Sequence, residues 1–325
     1  MPVRPDVGEK IIRVEAEEAN PMFGIGLKVT SVIAFVAMST LLKASEGIPA
    51  GEMVFFRSFF GIFPVLIFLA FTRQLAGSFR TKEPFSHFWR GFVGVCAMGL
   101  GFYGLTKLPL PESIAINYAS PLLTVMLSAI FLHETVRLYR WSAVLIGLVG
   151  VLIILWPRLT VFTAPGGQGT DAAIGAVATL VAAMCSAVAM LLVRKMVHRE
   201  RPTTIVIYFC ITSCVIALAT IPFGWVVPTP QQAVLLVMAG LAGGVGQILM
   251  TTSYRHAEMS TIAPFEYTSM LLGLTIGYVV FGDVPTMQMI IGSAIVIGAG
   301  IFIIYREHRL GLERRRAKKA SSHQA

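Results

Sequence analysis

Apolar residues run along this chain in blocks of about twenty, each closed by a short polar or glycine-bearing interruption. Ten blocks stand out, at about 23–43, 49–71, 88–107, 110–132, 140–157, 172–193, 203–223, 231–254, 260–281 and 286–305. About 20 apolar residues in an α-helix cross a bilayer, so each block predicts one span. Several interruptions are only a few residues long, which predicts antiparallel helical hairpins. The pattern therefore predicts an all-α integral membrane protein with ten transmembrane helices.

Composition strengthens this reading. The 325 residues are 55% hydrophobic and 13% charged, with mean hydropathy +0.75. A soluble domain carries about 25% charged residues, so too little polar surface remains here to face water. Cys96, Cys185, Cys210 and Cys214 all fall inside apolar blocks and read as small packing residues. No metal-ligand spacing, nucleotide fingerprint or other cofactor motif is visible, so no cofactor is expected. The first 20 residues mix both charge signs without an apolar h-region, and read as a cytoplasmic arm rather than a cleaved signal.

Charge also orients the chain. With ten spans both ends share one side. That side collects 21 Lys and Arg, including Arg73, Arg80, Lys82 and Arg90 after span two and seven in the tail; the other has Lys43, Lys107 and Arg158. The positive-inside rule then puts both termini in the cytoplasm, which for a bacterial protein means the inner membrane. The tail stretch RRRAKK (314–319) reads as a juxtamembrane run touching anionic lipid, not as a nucleic-acid patch.

Residues 110–156 align with 259–305 at a constant offset of 149. Tyr118 meets Tyr267, Ser120 meets Ser269, Leu122 and Leu123 meet Leu271 and Leu272, and Glu134 meets Asp283. The match has six identities in 47 positions. It pairs span four with nine and five with ten, so each half holds five helices. An odd number inverts the second half, giving two inverted five-helix repeats, a recurring transporter architecture. The expected units are an arm (1–22), a first repeat (23–157), a linker (158–171), a second repeat (172–305) and a basic tail (306–325).

The stretches YRHAEMSTIAPFEYTSML (254–271) and LPLPESIAINYASPLL (108–123), the latter followed closely by FLHE, resemble the EamA branch of the drug/metabolite transporter superfamily. The resemblance covers about 23 to 305. It implies a ten-helix carrier working by alternating access, with spans three, four, eight and nine around a central cavity.

Six residues are candidates for substrate contact. Glu266 lies well inside span nine, where a carboxylate needs a partner, water or a proton; it suits a cationic substrate or a coupling proton. Its repeat mate is the neutral Asn117. Tyr118 and Tyr267 offer matched flat faces and hydroxyls, fitted to gripping a planar heterocycle. Arg57, about 12 Å into span two, is placed to pair with Glu266 or meet an anionic group. Gln247 is a polar group inside span eight. Lys28 is expected to snorkel to the interface. Glu52 and Glu112 suit helix first turns. Pro121 and Pro264 are expected to kink their helices.

These features fit a carrier of a small molecule, monomeric or homodimeric. A membrane enzyme would need several convergent catalytic groups, and a channel a filter or charge ring. What such relatives move includes riboflavin, S-adenosylmethionine and amino acids. Two aromatic rings with hydrogen-bonding groups make riboflavin uptake the first expectation and S-adenosylmethionine, or amino-acid export, the second.

Overall fold

The computed structural model describes residues 21–73, 79, 81, 83–131, 138–159, 170–196, 199–256 and 263–322. The expectations for residues 1–20 of the N-terminal arm, for Glu134 and for residues 160–169 of the linker between halves lie outside these. The helices are α1 (Pro21–Ala44), α2 (Ala50–Phe71), α3 (Pro84–Lys107), α4 (Leu110–Asn117), α5 (Ala119–Phe131), α6 (Leu138–Leu159), α7 (Thr170–Met196), α8 (Pro202–Leu218), α9 (Pro230–His256), α10 (Thr268–Phe281) and α11 (Met287–Ser322). Two 3-10 turns, Ile221–Phe223 and Ala263–Tyr267, complete the set.

Six of these helices are long and apolar enough to cross a membrane. Shorter apolar helices at Trp141–Pro157, Thr203–Leu218 and Phe265–Phe281 accompany them. Large apolar side chains on their outer faces are open: Phe59, Phe63 and Ile67 on α2, Phe88 and Phe92 on α3, Leu145 and Leu152 on α6. Such a surface in water would be an aggregation site; lipid is the solvent that suits it.

Span four is not continuous. It breaks at Tyr118 into α4 and α5. Among the described residues of span nine, a 3-10 turn over Ala263–Tyr267 precedes the α-helix that begins at Thr268. The two breaks share a register. Tyr118 has φ −66° and ψ −7°, and Tyr267, its mate at offset 149, has φ −66° and ψ −12°. The prolines expected to kink these helices instead sit in the first turn of an element: Pro121 in that of α5 and Pro264 in the 3-10 turn. There the missing N–H removes no helical bond.

The main helix pairs join one half to the other in a matched pattern. α1 lies on α9 as α3 lies on α7; α2 packs on α9 as α8 packs on α3; α6 packs on α11. Exchanging span one with six, two with seven, and so on, turns each of these pairs into another or into itself. Close approach depends on glycine where α2 crosses α9. A Cβ on Gly244 would stand 2.5 Å from the Gly61 carbonyl oxygen, so no other residue fits without moving a helix. α10 ends at Gly282, whose φ of 68° lets its N–H reach Tyr278 O and that of Asp283 reach Gly277 O.

Candidate functional site

The two helix breaks meet. Tyr118 and Tyr267 lie edge to face, with ring centroids 5.2 Å apart at 64°. The Tyr118 hydroxyl is 2.5 Å from Ser269 Oγ, which itself donates to the Glu266 carbonyl at 2.7 Å. Tyr118 therefore donates to Ser269 and ties one break to the other. The Tyr267 hydroxyl rests on Gly300 of α11, where any Cβ would collide with it. Ile114, Met270 and Leu122 surround the pair in one apolar cluster. A backbone freed from helical bonding at this depth must find partners within the protein, and the Ser269 and Tyr118 hydroxyls supply one for the Glu266 carbonyl.

Glu266 sits in the 3-10 turn, one residue before Tyr267, and its side chain is about half exposed (49%). Its Oε2 is 3.3 Å from Lys28 Nζ on α1. Lys28 is only 2% exposed, so the snorkelling expectation fails: its stem is enclosed and its ammonium points inward. An opposite charge inside the protein holds it there more firmly than a distant interface could. Arg57, expected as a partner of Glu266, is not the cation that pairs with it. Lys28 is thus a functional candidate that the sequence pattern hides. Its signal is a cation seven residues into an apolar helix, with one unexplained carboxylate elsewhere.

The remaining expected residues are dispersed. Asn117 ends α4 beside the break and is exposed. Gln247 is half-buried on α9, one turn past the Gly243–Gly244 pair. Arg57 is buried on α2, with its Nε next to Gly243 and its guanidinium over the Phe209 ring at 5.6 Å. Arg90, counted on the cytoplasmic side, is half-buried near the start of α3. Its Nε and Nη1 are closed off from solvent and its guanidinium lies over the same ring at 4.4 Å.

Charges at the helix ends are structural. Glu52 accepts the Val226 N–H at 3.1 Å, and Asp283 accepts that of Leu110 at 3.1 Å. Lys43 donates to the Leu108 carbonyl and lies near the Phe281 ring. These contacts close one end of the bundle where α1, α4 and α10 meet. At the opposite end Arg199 donates to Glu83 at 2.7 Å, and Ser86 donates to the other carboxylate oxygen. Arg199 first, then Ser86, hold the Glu83 carboxyl below the usual range.

Comparison with known proteins places these features in company. The EamA-like transporter family matches residues 22–156 and again 173–306. The S-adenosylmethionine uptake transporter of Rickettsia bellii is 26% identical over 287 residues, 88% of this chain and 94% of its own. The riboflavin transporter of Rhizobium johnstonii is 27% identical over 312 residues, 94% and 97%. The pseudopaline exporter of Pseudomonas aeruginosa is 27% identical over 280 residues, 86% and 94%. A solved crystal structure superposes with a TM-score of 0.63 at 18% identity, over 88% of this chain and 98% of that one.

Proposed function

The chain belongs to the EamA-like transporter family, and from that premise we propose that it is a secondary carrier of a small organic metabolite, working by alternating access in a bacterial inner membrane. The observation that carries this is the meeting of two broken spans, one from each half, at Tyr118 and Tyr267. Broken helices at the contact between repeats are where secondary carriers build their sites. The halves are inverted relative to each other, with both termini cytoplasmic, on the strength of five helices per half and the skew of Lys and Arg.

Glu266 and Lys28 favour a substrate bearing a positive charge. Lys28 reaches Oε2, and a carboxylate has room for further donors on its half-exposed side. A cationic group there would share Glu266 with Lys28 or displace it. S-adenosylmethionine, with its sulfonium and amine, has that chemistry, and the name borne by the Rickettsia relative agrees. Riboflavin is the second reading, favoured by the similarity to the riboflavin transporter. It asks more of the site. Tyr118 and Tyr267 touch each other, so a flat ring system enters between them only after they part. Asn117 and Gln247 are further contacts in this proposal.

The test is uptake of labelled S-adenosylmethionine and of labelled riboflavin into cells lacking their own systems. Saturable, counterflow-competent uptake of the first, lost in Glu266→Gln, is expected. Uptake of riboflavin alone, unchanged in Glu266→Gln, would reverse the order of the two. No flux of either, with the protein present in the membrane, would discard both substrates.

A further inference from the structure

The interior holds two guanidinium groups whose chemistry the Lys28–Glu266 locus does not use. Arg57 comes from α2 and Arg90 from α3, and both lie over the ring of Phe209 on α8, at 5.6 and 4.4 Å from its centroid. The two guanidinium carbons are therefore no more than 10.0 Å apart, the sum of those distances. Arg57 Nε, Arg90 Nε and Arg90 Nη1 are closed off from solvent with no hydrogen-bond partner among the described residues. Three carboxylates elsewhere in the fold have their own partners: Glu266 has Lys28, Glu52 has Val226 and Glu83 has Arg199. The surroundings are otherwise apolar or small, with Cys210 and Val206 buried in the adjoining cluster, and Met38 and Gly243 beside Arg57.

Two like charges brought together away from water oppose each other, and each has lost its hydration. Neither can relieve this by releasing its proton, because a guanidinium stays charged in a protein. The Phe209 face attracts both, but a ring face does not satisfy N–H groups pointing along the guanidinium edge. What satisfies all three at once is an anion with two acceptor oxygens. A carboxylate can accept from one guanidinium on each oxygen, and such charge-assisted bonds are the strong ones.

We propose that Arg57, Arg90 and Phe209 form an anion subsite that takes a carboxylate of the transported metabolite. With Glu266 and Lys28 in a separate locus, the carrier then reads a zwitterion: a cationic group at Glu266, a carboxylate at the arginine pair. The inference rests on the carrier reading for its purpose, though not for the binding itself. Arg57 is buried and Arg90 half-buried in this conformation, with Arg90 Nε and Nη1 closed off, so the anion enters when α2, α3 and α8 part.

The experiment is thermal melting of the purified protein in detergent, titrated with sodium propionate and, separately, with propionamide, chloride holding ionic strength constant. Propionate is expected to raise the melting midpoint saturably, and its uncharged isostere to leave it unmoved. In Arg57→Gln and Arg90→Gln the propionate midpoint should shift to at least about tenfold higher concentration, the size of one lost charge-assisted hydrogen bond. Arg57→Lys and Arg90→Lys keep the charge and lose the fork, and they carry the test if the Gln variants do not fold. Equal responses to propionate and propionamide in the natural protein would overturn the subsite, as would an unshifted propionate response in all four variants. This readout is binding without flux, so a failed uptake experiment leaves it standing, and its own failure leaves the carrier reading standing.

Discussion

Gly61 and Gly244 face each other where α2 crosses α9, yet they are not equivalent, and replacing each by alanine should give different results. A Cβ on Gly244 would lie 2.5 Å from Gly61 O, 2.9 Å from its Cα and 3.1 Å from its carbonyl carbon. All three are backbone atoms, which no rotamer change can clear. Ordinary contact begins near 3.4 Å, so the helices must separate by 3.4 − 2.5 = 0.9 Å. A Cβ on Gly61 instead finds Gly240 O at 3.4 Å and Gly244 Cα at 3.7 Å, which is normal packing. Overpacking of this kind costs about 1–3 kcal/mol. At roughly 3 °C per kcal/mol for a domain of moderate size, Gly244→Ala should melt about 3–9 °C lower in detergent. Gly61→Ala should stay close to the natural protein. Gly298→Ala, where nothing lies within 4 Å, is the neutral control. Equal melting points for Gly61→Ala and Gly244→Ala would refute the reasoning, because the two variants differ in which backbone receives the methyl group.

Three further outcomes are expected. Gly300→Ala drives a methyl group into the space of the Tyr267 hydroxyl; it should lower transport well before it lowers expression, and Gly300→Ala combined with Tyr267→Phe, which removes the colliding oxygen, should recover part of the loss in an uptake assay. Tyr118→Phe removes the donor to Ser269 and should cost about 1 kcal/mol of melting stability, the usual worth of one such bond, with a stability change below about 0.3 kcal/mol counting against the tie between breaks. Because Arg199 lowers the folded-state value of Glu83, this contact contributes above the ordinary glutamate range near ~4.3 and is lost as pH falls through the lower folded value; melting of the natural protein relative to Glu83→Gln should be flat from neutral to mildly acidic pH and converge only in stronger acid.

Much of this architecture was legible in the pattern of apolar blocks, because a bilayer imposes a length that hydropathy reports directly. Most helices came within a few residues of the blocks, α11 excepted, which runs to Ser322 where its block closes near 305. Their interruptions did not. Tyr118 lies inside one block, where Asn117, Ser120 and Pro121 are too few polar or helix-breaking residues to close it; the repeat, which pairs Tyr118 with Tyr267, marked the position as special. The site was half legible for a related reason. A charge inside an apolar block announces itself, so Glu266 and Arg57 were visible. Its partner is decided by packing across distant helices, and Lys28 and Arg90 each sat close enough to a block's edge to pass for interfacial residues. Packing separates them from that class, Lys28 by burial and Arg90 by its place over the Phe209 ring, and packing is a tertiary property.

The last helix has a mechanical consequence. α11 runs from Met287 to Ser322 without interruption, a rod of 36 residues and about 54 Å at 1.5 Å per residue. A hydrocarbon core of about 30 Å takes up little more than half of it. Some 24 Å is left protruding, rigidly joined to a span that packs along α6 and bears the Tyr267 hydroxyl on Gly300. That overhang is a lever. A tilt of about 10° in the span would swing its tip by roughly 4 Å, a displacement that a pair of spectroscopic labels can register in real time. A helix end well outside the bilayer thereby becomes a place from which the motion of the span is easy to see.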